Sequence, residues 1–132
     1  MEVLVSLGEF PLLKRSRFLG LFIKPVLDAV VVVNRLFIRA HHVPALYDSG
    51  VRYQQEPPDG RPEEFAAIPL ILSRGWADCD DLAPWRVAEL QEAGEKATIR
   101  ITWRRRGERR LYHFVVRRGD GRIEDPSRLL GM

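Results

Sequence analysis

Apolar residues fill nearly every inward helical position from Val26 to Ala40, with Asn34, Arg35 and Arg39 left for the wet side, and this spacing predicts a helix. The unbroken run Val30 to Val33 also suits a buried strand, although the spacing favours the helix. Between Glu63 and Ser73, Phe65, Ile68, Ile71 and Leu72 predict a short helix that starts near Pro62, is bent or divided by Pro69, and ends at Gly75. From Asp78, the positions of Leu82, Trp85, Leu90 and Ala93 mark another helix, stopped by Gly94, with Asp78 as N-cap and Asp81 as the reciprocal acid of a capping box. The pattern then changes to strand runs: Ala97 to Trp103, Leu111 to Arg117, and a short Arg122 to Glu124. Gly107 and the Gly119-Asp120-Gly121 turn separate them. Helices followed by a small antiparallel sheet make an α+β domain.

Two stretches lack a dominant period. Residues 1–25 alternate apolar runs with Gly8, Pro11, Gly20, Pro25 and the basic Lys14, Arg15 and Arg17, so they are assigned to an N-terminal arm, with the domain proper spanning 26–132. Leu12, Leu13, Phe18, Leu19, Leu21, Phe22 and Ile23 give the arm more apolar surface than a small domain leaves in water, so they either close the domain's own core or, the reading preferred here, form a clasp that docks on a partner. His41 to Pro62 carries Pro44, Gly50, Pro57, Pro58, Asp59 and Gly60, a loop too long for a passive connector.

The chain has 132 residues, 45% hydrophobic and 30% charged, which suits one domain with a real core. Its single cysteine excludes an internal disulfide and points to a reducing compartment. The most apolar stretch, Phe18 to Ile38, is cut by Lys24, Pro25, Asp28, Asn34 and Arg35, short of the roughly 20 apolar residues a membrane span needs. The start of the chain, with Glu2 and no basic run, predicts no export signal. The net charge of +3 is uneven, because Arg104, Arg105, Arg106, Arg109 and Arg110 crowd one hairpin and make it a candidate anion-binding surface. A solvated hairpin tip explains them as well. Only Trp103 and Tyr112 lie near as stacking partners, which argues against nucleic acid.

Cys79 lies where a loop turns into a helix, in Trp76-Ala77-Asp78-Cys79-Asp80-Asp81. Unpaired N–H groups at a helix start favour a thiolate, which predicts a lowered thiol pKa, opposed by the three neighbouring aspartates. His113 in a strand and Asp125 after a turn complete a possible nucleophile, base and base-orienting carboxylate. His41 and His42 end a helix, where cationic side chains favour the dipole, and no ligand pair shows a zinc-type spacing, so no metal is expected.

Gly75-x-x-Asp78-Cys79-Asp80-Asp81-Leu82-Ala83, Tyr112-His113, and Asp120-Gly121-x-Ile123-Glu124-Asp125-Pro126-Ser127 resemble the transglutaminase-like branch of the papain-like cysteine protease superfamily, in particular small transglutaminase-like proteins of phage and phage-derived gene clusters. The resemblance covers roughly residues 43–132. It implies a papain-like core and a thiol hydrolase, with Cys79 as nucleophile, His113 as base and Asp125 orienting His113. No cofactor is implied. The substrate would be a protein or peptide, and the setting cytoplasmic or within a phage-like particle. A phage structural protein is a possible partner of the arm, and the alternative function is a non-catalytic assembly component. Papain-like enzymes take a second oxyanion donor from an upstream side chain, for which Tyr53, Gln54, Gln55 and Trp76 are candidates. Pro84 departs from the pattern: its missing N–H and its ring predict a helix that starts after Cys79 or bends there.

Overall fold

The computed structural model describes residues 4–7, 19–55, 63–107 and 109–132. In chain order the elements are β1 (Leu4–Leu7), α1 (Leu19–Ala40), a 3-10 turn (Leu46–Asp48), β2 (Arg52–Tyr53), β3 (Glu63–Ala66), α2 (Ile68–Arg74), β4 (Trp76–Ala77), α3 (Cys79–Glu92), β5 (Thr98–Arg106), β6 (Arg109–Arg117), β7 (Ile123–Glu124) and α4 (Pro126–Leu129). The α+β class holds, and β5-β6-β7 form the expected antiparallel sheet. Two further pairs interleave with the helices: β1 with β3, antiparallel, and β2 with β4, parallel.

Three local expectations change. The helix predicted from Val26 begins at Leu19 and runs through Pro25, which is exposed, while Ile23 joins the core. Of the arm's apolar residues, Leu12, Leu13 and Phe18 lie outside the described residues, as do Lys14, Arg15 and Arg17. Glu63–Ala66 is strand rather than helix because it pairs with β1, and the helix starts only at Ile68. There Pro69 sits in the first turn, where its missing N–H has no partner to lose. Asn34, expected on the wet side, is fully buried, and its Oδ1 accepts the Ile68 N–H at 3.0 Å, one of the orphan donors at the start of α2.

The helix α3 lies between two apolar clusters. Ala83, Val87 and Ala88 pack with Ile23, Leu27 and Val30 of α1 and with Phe114 and Val116 of β6. Leu82 and Trp85 pack instead with Leu46, Ile68, Ile71, Ala77 and Leu130. A helix apolar on several sides belongs in a protein's interior. The Cys79 end of α3 is thereby fixed against both halves of the molecule. No described helix is long and apolar enough to cross a membrane.

Candidate active site

Gly75 ends α2 in the left-handed conformation, φ 80°, and turns the chain into β4, whose last residue Ala77 leads to Asp78 and Cys79. The helix begins at Cys79 despite Pro84: the Asp81 and Leu82 amides donate to the Asp78 carbonyl at 3.2 and 3.0 Å, closing the first turn. Asp78 is the N-cap in extended conformation, but its side chain makes no capping bond. Asp81 is not its reciprocal partner either. The Asp81 carboxylate is fully buried and accepts the Ala66 N–H and the Arg74 guanidinium, both at 2.6 Å. Arg74 in turn lies 3.8 Å from the centre of the Trp76 ring. This ion pair ties β3, α2 and α3 together around the cysteine.

The expected lowering of the Cys79 thiol does not occur. Burial pushes it up to about 12, the charges of Asp78 and Asp81 push the same way, and the backbone N–H of Phe114 pulls only partly back. Desolvation of the thiolate outweighs the helix dipole here. Asp80, buried beside it, is held well above the usual carboxylate range by burial first, then by its hydrogen bond with Asp78 and the charges of Asp81 and Asp78. Asp78, Asp80 and Asp81 bring oxygens within 4.8 Å of one another. Their donors suit a cation poorly, because Asp81 is committed to Arg74 and burial opposes the charged form of Asp80.

His113 lies on β6 immediately before Phe114, which belongs to the apolar cluster that Cys79 packs against. Its Nε2 is 2.8 Å from Asp125 Oδ2. A carboxylate can only accept, so Nε2 carries the hydrogen and Nδ1 is the basic nitrogen. Asp125 is also the N-cap of α4, its side chain accepting the Arg128 N–H, and Arg128 Nε approaches it at 3.6 Å. Neighbouring Glu124 fixes its height in the fold: it accepts from Tyr47 Oη and Arg86 Nε, both 2.6 Å, and Arg118 Nη1, 2.9 Å. Burial alone would raise the Glu124 carboxyl, but the hydrogen bonds from Arg86 and Tyr47 and the Arg86 charge hold it below the usual range.

Of the upstream oxyanion candidates, Tyr53 is half-buried on β2. Its phenol is raised by burial and then by the charges of Cys79, Asp78, Asp80 and Asp125. The parallel pairing of β2 with β4 sets Tyr53 beside Ala77, two residues before the cysteine. The Gln54 amide donates to the Ala77 carbonyl at 2.9 Å, but its side chain is exposed, like that of Gln55. Trp76 is engaged by Arg74. An open cleft of about 380 Å³ runs along Arg118, Arg122, Asp125, Arg128 and Leu129, reaching the outer side of Asp125 but not Cys79.

In the arginine hairpin, Arg105 pairs with Arg110 and Arg106 with Arg109 across the strands. Arg104 and Arg105 are exposed, and the side chains of Arg106, Arg109 and Arg110 lie outside the described residues. Sequence reasoning missed Glu124, Tyr47, Arg86 and Arg118. Glu124 stood inside the quoted Ile123-Glu124-Asp125 motif, but Tyr47 and Arg86 lie 77 and 38 residues from it, and no local signal joins them. No protein-family model, curated protein or solved structure matches this chain.

Proposed function

We propose that this protein is a thiol hydrolase of the transglutaminase-like, papain-like class, cleaving an amide bond of a protein or peptide through an acyl-enzyme on Cys79. The carrying observation is the 2.8 Å contact of His113 Nε2 with Asp125 Oδ2, on a strand whose next residue, Phe114, belongs to the apolar cluster that Cys79 packs against. The resting thiol is protonated, so His113 Nδ1 takes its proton as sulfur attacks the carbonyl, rather than waiting as a preformed ion pair. The sulfur–carbon bond forms, the carbon–nitrogen bond breaks, and the imidazolium passes its proton to the leaving amine. Water, deprotonated by the same nitrogen, then attacks the thioester, releasing the acid and restoring the thiol. An amine in place of water gives a cross-link. Asp125 holds the tautomer, and the Cys79 N–H at the helix start stabilises the developing oxyanion, with Tyr53 proposed as the second donor.

With p-nitrophenyl acetate as a generic acyl donor, the folded chain should release a burst of nitrophenol and carry the acetyl group on Cys79, as read by peptide mass spectrometry. His113→Ala should slow acylation by about 100-fold or more, as loss of a general base does. An acylation rate unchanged in His113→Ala, or an acetyl group absent from Cys79, overturns the proposal.

The burial of the thiol favours a second reading, a non-catalytic docking module of a phage-like particle that keeps this fold. On that reading Cys79→Ala retains every association of the native chain.

A further inference from the structure

The long helix α1 is apolar on two opposite sides. Its inward side carries Ile23, Leu27, Val30 and Val31 into the core. Its outward side carries Pro25, Ala29, Val32, Leu36 and Ala40, all exposed, at successive offsets of three and four residues. Val32 is 56% and Leu36 52% exposed, although both are large side chains in the middle of a helix. At 1.5 Å per residue this ridge is about 22 Å long. It is also held rigidly, because Arg35 and Arg39 on α1 both bind Glu92 at the end of α3, at 2.6 and 2.9 Å.

The charges along one edge of the ridge select the occupant. Asp28 lies on the N-terminal half and Arg35 and Arg39 on the C-terminal half, with Asp28 and Arg39 both more than half exposed. A second α1 laid parallel about a two-fold axis turns this edge to the opposite side of the pair, so its charges do not meet those of the partner. Laid antiparallel, the same edge sets acid against base twice, and Val32 of one copy falls beside Leu36 of the other. An isologous contact of this kind closes on itself. Lys24, the remaining charge on this edge, is paired with Asp28 within its own helix at 3.2 Å and falls beyond the end of the opposing helix.

We propose that two copies of this chain pair through the outward face of α1, antiparallel about a two-fold axis, with Asp28 of each facing Arg39 of the other. One pair of helices covers less area than the ~1,600 Å² of a standard interface, so the dimer should dissociate in the micromolar range.

Sedimentation equilibrium of the full chain across the micromolar range should show the mass rising from one chain to two. Leu36→Glu should hold it at one chain with an unchanged melting temperature. Asp28→Arg and Arg39→Asp should each weaken self-association about tenfold, since each sets like charges together twice. An equal mixture of these two variants should dimerise again, because the charges then match across the interface. A single-chain mass for the native protein at every concentration overturns the proposal, as does a dimer that survives Leu36→Glu or a mixture that fails to recover. A monomeric native chain whose melting temperature falls with Leu36→Glu shows instead that another part of the same chain covers the face.

Discussion

Cys79 shows how a tertiary effect reverses a local one. The start of a helix is legible in sequence, and so is its pull toward the thiolate, but the depth at which the helix start is set depends on β6 and Tyr53, which lie far along the chain. Between about 8.5, the ordinary thiol value, and about 12, the folded chain keeps a proton that the unfolded chain has lost. Stability should therefore fall as pH rises through that window, with no slope from this group below it, where both states are protonated. Cys79→Ala should flatten the slope in denaturant titrations run at stepped pH. A slope identical in the variant would show that the thiol is not the group responsible. Asp81 carries the same lesson: its spacing from Asp78 fits a capping box, and only the fold reveals that Arg74 and the Ala66 amide claim it.

Among the elements, those with their signals inside them were legible. The α3 helix, the β5-β6 hairpin and the stop at Gly75 follow from local spacing and turn residues. What failed was decided by partners. Glu63–Ala66 looks helical until β1, sixty residues earlier, pairs with it, and Gly20 and Pro25 look like breakers until α1 packs its buried face along α3. Gly75 gives a direct test of the local kind. An added Cβ there meets no atom within 4 Å, so the cost of Gly75→Ala is purely that of holding a side chain at φ 80°. The variant should lose about 1 kcal/mol in urea unfolding, and Gly75→Asn, which tolerates that conformation better, should lose less. Equal losses in the two would place the cost in packing rather than backbone.

For the whole molecule, the α+β class and the closing antiparallel sheet were readable, and the 2.8 Å contact of His113 with Asp125 joins two of the three residues singled out by their motifs. The parallel pair β2-β4, which sets Tyr53 beside Ala77 two residues before the cysteine, was hidden because β2 lies in a segment that reads as loop, and the two-cluster core has no signature in composition. The position of α3 between those clusters governs how the molecule comes apart. Leu82 and Trp85 serve one cluster and Ala83 and Val87 the other, from the same two turns of helix, so neither cluster can open while the other keeps α3 in place. Amide hydrogens in the middle of α3 should thus exchange with deuterium only through complete unfolding, at one shared free energy, while those of the β5-β6 hairpin tip exchange through local fraying. On that expectation, the cysteine end of α3 comes free only when the whole molecule unfolds.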